Sequence, residues 1–125
     1  MPATILIVED HDEVRRAMRD WLRVEFPQCR VIEAASGEEA ITLAHIESPR
    51  LIVMDIHLPG MNGIETTRQI KAALPVAQIV MLTIQTGDIY RADARAAGAS
   101  AYVTKPRMHS ELVSTLATLL GGCSA

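Results

Sequence analysis

Three carboxylates, a hydroxyl and an amine stand where apolar runs of this chain end. The run TILIV (4–8) leads into Glu9 and Asp10, and LIVM (51–54) leads into Asp55. QIVML (78–82) leads into Thr83, and AYVT (101–104) into Lys105 and Pro106. A carboxylate at the end of a buried run is costly unless a cation faces it. On one shared rim the acids would repel one another, and two things can offset that: a hard divalent cation and the ammonium of Lys105. Mg²⁺ suits such a place, because it takes oxygen ligands and keeps several waters. A carboxylate that is rigid, partly desolvated and close to a metal can act as a nucleophile. A metal, a lysine and a hydroxyl donor around it form a receptor for phosphoryl charge. Transfer at phosphorus needs mainly positioning and charge stabilisation. The chemistry expected is therefore attack by Asp55 on phosphorus, giving an acyl phosphate.

One rim for all these residues requires a particular scaffold. Five short runs rich in Val and Ile fit strands: TILIV (4–8), CRVIEA (29–34), LIVMD (51–55), QIVMLT (78–83) and AYVT (101–104). Three of them are apolar at nearly every position, which predicts a sheet covered on both faces. The segments between have helical period. Val14, Ala17, Met18, Trp21 and Leu22 mark one stripe of a helix from about Asp12 to Glu25. Ser36 and Glu39 make a capping box for a helix reaching about Ile46. Asn62 can cap a helix running to about Ala73, stopped by Leu74 and Pro75. Residues 87–97 read as an alanine-rich helix, and Ser110 to Leu120 as the last one. For the first helix Asp12 is a better cap than Glu9 or Asp10. Strand and helix alternating five times predict an α/β fold: a doubly wound, five-stranded parallel sheet with helices on both faces. The expected strand order is 2-1-3-4-5, with ligands beyond the carboxyl ends of the first and third strands.

Composition narrows the function. The 125 residues fit a single domain (core about 3–120, with 121–125 a tail or the start of a linker), 49% apolar and 22% charged. No apolar run is long enough to cross a bilayer, and the N-terminus lacks a basic start, so no membrane association is expected. Cys29 and Cys123 stand in no motif, which predicts a reducing, cytoplasmic setting. Residues 1–62 carry 6 Lys and Arg against 11 Asp and Glu, and residues 63–125 carry 6 against 4. Neither this balance nor an aromatic content of 3% fits nucleic-acid binding by the chain itself.

Taken singly, each site residue has a plain reading: Asp55 as a strand terminator, Thr83 as a strand residue, Lys105 as a surface cation and Tyr102 as a half-buried ring. Together, Glu9, Asp10, Asp55, Thr83, Tyr102, Lys105 and Pro106, within ILIVED, MDIHLPGMNGIE and GASAYVTKP, resemble the receiver domain of two-component response regulators, the CheY-like fold. The resemblance covers essentially the whole chain. It implies that Asp55 accepts a phosphoryl group from a phosphohistidine on a sensor histidine kinase, the domain catalysing only its own phosphorylation and dephosphorylation. It implies Mg²⁺ bound directly by Asp10, Asp55 and the backbone carbonyl of His57, with Glu9 acting through a water. Lys105 would pair with the phosphoryl oxygens, Thr83 would swing to donate a hydrogen bond, and Tyr102 would turn inward behind it. The Lys105–Pro106 bond is expected to be cis. The segment GMNGIETTRQIK resembles receivers that precede a helix-turn-helix domain of LuxR type, so DNA would be met only through a domain outside these residues. The alternative is a stand-alone receiver acting by docking. Output is expected through the face of the fourth helix, fifth strand and fifth helix (residues about 87–97, 100–104 and 108–120), which can serve a homodimer or another partner.

One departure from the family pattern is Ile84, where a small residue is usual; it should narrow access to the phosphoryl group. His57 and Gln85 are expected to flank the pocket mouth. A transition-metal site using His11 and His57 is disfavoured, since a residue adjoining each carboxylate is expected to point elsewhere. Two rival functions fare worse. A phosphatase of haloacid-dehalogenase type resembles D-x-D, whereas here the sequence is Asp55-Ile56-His57. A flavin module of the same fold needs a hydroxyl- and glycine-rich first loop, whereas EDHDEV repels phosphate.

Overall fold

In the computed structural model the residues described are 3–84 and 88–121. The elements alternate: β1 (Thr4–Val8), α1 (Asp12–Glu25), β2 (Arg30–Ala34), α2 (Gly37–Glu47), β3 (Leu51–Met54), α3 (Gly63–Ala73), β4 (Gln78–Thr83), α4 (Asp88–Ala97), β5 (Ala101–Thr104) and α5 (Met108–Leu119). A 3₁₀ turn, Lys105–Arg107, joins β5 to α5. The strands are all parallel, in the order β2-β1-β3-β4-β5. That is the predicted topology, with β1 and β3 paired at the switch point.

Strand alternation divides the core in two. Ile5, Ile7, Val53, Val80, Leu82 and Val103 pack with Met18 and Leu22 of α1 and Leu112 and Leu116 of α5. Leu6, Val8, Ile52, Met54, Ile79 and Met81 pack on the other face with Ala40 and Ala44 of α2, Ile70 of α3 and Ala94 of α4. Because both faces are covered, β1, β3 and β4 read as unbroken apolar runs.

The caps follow the sequence at two helices and depart from it at one. Ser36 Oγ accepts from Glu39 N–H, while Glu39 Oε1 accepts from Ala35 N–H. Asn62 Oδ1 accepts from Glu65 N–H. At α1 the cap position is His11, not Asp12, and its side chain makes no capping bond. Asp12 is instead the first helical residue, where its charge favours the helix N-terminus and its Oδ1 accepts from Arg15 at 2.8 Å. The final helix begins at Met108, two residues ahead of the predicted start, because the 3₁₀ turn feeds straight into it. Cys29 lies just before β2, unbridged, and Cys123 is outside the described residues.

Candidate functional site

The carboxyl ends of β1, β3, β4 and β5 present the site. The register fixes their alignment: Val8 opposes Met54, Met54 opposes Met81, and Thr83 opposes Thr104. Glu9 and Asp55 therefore leave adjacent strands side by side. Asp55 N–H bonds Val8 O at 3.1 Å, and Glu9 N–H bonds Ala34 O at 3.1 Å, so both backbones are tied to the sheet.

Lys105 bridges the two acids. Its Nζ lies 2.8 Å from Glu9 Oε1 and 3.2 Å from Asp55 Oδ2. The other Asp55 oxygen accepts from His57 N–H at 3.1 Å. Glu9 is 2% exposed and Asp55 6%, so both charges are largely withdrawn from water. Burial pushes the Glu9 carboxyl up, but hydrogen bonds from Lys105 and His11 outweigh it and hold the group down at about 2. Asp55 goes the other way: burial, then the Glu9 charge, push its carboxyl up against the opposing pull of His57 N–H and Lys105. Burial disfavours the Lys105 cation, yet its bond to Glu9 and the Asp55 charge hold its ammonium above the usual range.

The Lys105–Pro106 bond was expected to be cis. Among the described residues every peptide bond is trans. Pro106 lies within the first positions of the 3₁₀ turn, where its fixed φ suits the backbone, and Lys105 reaches both carboxylates from that turn.

Thr83 is fully buried at the end of β4. Tyr102 is half-buried on β5, with the Arg91 guanidinium 4.6 Å from its ring centroid. Burial raises the Tyr102 hydroxyl pKa. Ile84 is 64% exposed. His57 is exposed, its ring edge-on to Tyr90 at 6.3 Å. Gln85 lies outside the described residues. A shallow pocket lined by Arg91, Arg95, Ser100 and Tyr102 sits between α4 and β5 and includes none of the acids.

Three residues matter more than the sequence suggested. Arg15 donates to Glu9 O at 2.9 Å, to Asp12 Oδ1 at 2.8 Å and to Glu33 Oε1 at 3.1 Å, pinning the β1–α1 loop to β2. The Asp12–Arg15 spacing was visible in the sequence, but Glu33 comes from another strand. Gly63 lets α3 approach the end of β3: a Cβ there would stand 2.0 Å from Asp55 O. His11 does not point elsewhere, as had been expected. Its Nδ1 lies 3.1 Å from Glu9 Oε2 and 3.5 Å from Asp10 Oδ1.

A divalent cation needs oxygen donors that no other group already occupies. Asp10 Oδ1 is shut off from solvent and makes no hydrogen bond. Such a carboxylate oxygen, on a partly exposed side chain beside the buried Glu9 carboxylate, fits a hard cation. The closest-set donor group among the described residues is Glu9, Asp10 and His11, within 4.8 Å of one another. Asp55, expected as a direct ligand, is not in that group; it is drawn to Lys105 instead.

The profile described as "Response regulator receiver domain" matches residues 5–117. The chain belongs to that family. Like other members, this receiver is a signalling domain of the two-component type. It is 36% identical over 118 residues to the response regulator protein VraR of Staphylococcus saprophyticus, covering 93% of this chain and 56% of the relative. It is 40% identical over 107 residues to VraR of Staphylococcus aureus, covering 84% and 50%. The receiver thus spans about half the length of these curated relatives. Among solved structures it resembles a LuxR-family two-component response regulator from Aurantimonas sp. SI85-9A1, with a TM-score of 0.90 and 38% identity over 98% of this chain and 87% of that one. It also resembles a CheY-like receiver from Methanospirillum hungatei, with a TM-score of 0.89 and 27% identity over 98% and 96%.

Proposed function

We propose that this receiver is a phospho-accepting switch, that Asp55 is its acceptor, and that its core spans about residues 3–120. The observation that carries this reading is the Lys105 ammonium held between Glu9 and Asp55 on the open rim of the sheet. In the proposed reaction an Asp55 oxygen forms a bond to phosphorus. The N–P bond of a phosphohistidine on a sensor kinase breaks, and the imidazole leaves with the bonding pair. Lys105 lies within reach of Asp55 Oδ2 and follows the incoming phosphoryl oxygens. Thr83, at the end of the neighbouring strand, supplies a hydroxyl to the same group. The His57 N–H holds the other Asp55 oxygen and orients the carboxylate. Glu9, Asp10 and Asp55, with the His57 carbonyl, would hold Mg²⁺, which when bound neutralises phosphoryl charge. The return reaction is hydrolysis by water at phosphorus, restoring the Asp55 carboxylate. Self-phosphorylation and self-dephosphorylation are thus the only catalysis the domain performs.

Output belongs to Tyr102 and the face of α4, β5 and α5. That face serves a dimer or another partner, in a protein that stays in the cytoplasm. The LuxR-family and VraR relatives support a DNA-binding domain outside these residues, so that phosphorylation controls transcription.

The test is incubation with a small phosphodonor and Mg²⁺, read by intact mass. Wild type gains one phosphoryl group and Asp55→Asn gains none. A wild type that stays unmodified, or a variant that is modified equally, would overturn the assignment.

A further inference from the structure

We propose that His11 is a direct ligand of the divalent ion at this rim and biases the site toward ions that favour imidazole nitrogen, such as Co²⁺. The inference rests on the metal-binding reading given above and adds a residue to it. Its backbone places it: His11 stands at the start of α1 with φ −79° and ψ 112°, and this extended conformation aims its Nδ1 at the end of β1. The distances of 3.1 Å to Glu9 Oε2 and 3.5 Å to Asp10 Oδ1 are informative. Neighbouring donors in an octahedral shell with bonds of about 2.1 Å are roughly 3 Å apart. The imidazole nitrogen stands at nearly that spacing from each carboxylate oxygen, the three donors lie within 4.8 Å of one another, and among the described residues no other such group occurs. Asp10 Oδ1 adds to this: it is shielded from solvent and, with His11 Nδ1 no nearer than 3.5 Å, makes no hydrogen bond, a state that suits a cation. The mixed set of two oxygens and one nitrogen is harder to reconcile with strict Mg²⁺ preference, because imidazole suits later first-row ions.

The plain alternative is that the imidazolium merely neutralises Glu9 and Asp10 and must leave before an ion enters. The two readings give opposite forecasts. A competitor, once removed, strengthens binding of all divalent ions together. A ligand, once removed, weakens binding only of those ions that favour nitrogen.

The experiment is calorimetric titration of the chain with Mg²⁺ and with Co²⁺, comparing wild type, His11→Asn and, as a histidine on α2 away from the acids, His45→Asn. The His11 side chain is 71% exposed, and asparagine is a favourable helix cap, so the variant folds. His11→Asn is expected to lose about tenfold or more in Co²⁺ affinity while Mg²⁺ affinity stays within about threefold. His45→Asn changes neither. In the Co²⁺ complex, proton NMR shows one imidazole N–H shifted far outside the diamagnetic range, and His11→Asn lacks it. Parallel changes for both ions, or an unchanged Co²⁺ affinity, overturn the ligand role of His11 and leave the phosphoacceptor reading standing. Failure of wild type to bind either ion overturns both this inference and the metal-binding reading.

Discussion

Glu9 and Asp55 share one lysine yet respond to it in opposite ways. Glu9 takes the shorter bond and the imidazole of His11 as well, so its carboxyl sits at about 2 in place of 4.5. A carboxyl lowered on folding contributes stability that is present above its unfolded value and lost as pH falls through its folded value. Its contribution is therefore complete above about 4.5 and fades toward about 2. Asp55 has the reverse sign: its carboxyl is raised by burial and by the Glu9 charge, so ionised Asp55 destabilises the fold near neutrality. In metal-free buffer at pH 7, Asp55→Asn is expected to melt a few degrees higher than wild type, and Glu9→Gln lower. Melting curves at several pH values check this, and a lower Tm for Asp55→Asn would show that the Lys105 attraction dominates. Ile84 leads to a kinetic expectation. Its exposed, branched side chain follows the buried Thr83, so Ile84→Ala should accept phosphate severalfold faster from a small donor such as acetyl phosphate. Equal initial rates would remove Ile84 as a gate.

The elements show what could be read in advance and what could not. The helix over Asp12–Glu25 was legible from its apolar period, and the one over Gly63–Ala73 from its Asn62 cap, because both are local signals. The positions of Asp55, Thr83 and Lys105 at strand ends were legible because each directly follows or ends an apolar run, and a parallel sheet sets such ends on one rim. The Arg15–Glu33 pair and the fold-back of His11 were not, since both depend on how β1, β2 and α1 meet in space. Gly63 lay between the two cases: a turn was visible, but the contact with Asp55 O was not. That contact makes Gly63 an element-scale determinant, because any side chain there must push α3 away from the end of β3. Gly63→Ala is expected to cost about 1–3 kcal/mol of stability by overpacking. It should also slow phosphorylation of Asp55, whose backbone would have to move. Chemical denaturation with phosphorylation rates checks this; a variant of wild-type stability would mean that the loop yields freely.

At the scale of the whole molecule, acid chemistry and the expected output lie on different elements. The carboxylates come from the ends of β1 and β3, whereas Arg91, Arg95 and Tyr102 line a pocket between α4 and β5. β4 lies between them in the sheet and carries Thr83 at its end, in register with Thr104, two residues beyond Tyr102. A change at the acceptor that draws Thr83 therefore has a short path to Tyr102, whose ring is held beneath the Arg91 guanidinium. Truncating that ring should cut the path without touching the chemistry. Tyr102→Ala is expected to be phosphorylated at the wild-type rate, since Lys105 bonds Glu9 and Asp55 directly. What it should lose is the response: amide exchange in α4 and β5 changes on phosphorylation in wild type and stays flat in the variant. If Tyr102→Ala instead fails to accept phosphate, the ring supports the site itself. If α4 responds as in wild type, the signal leaves the acceptor by another route.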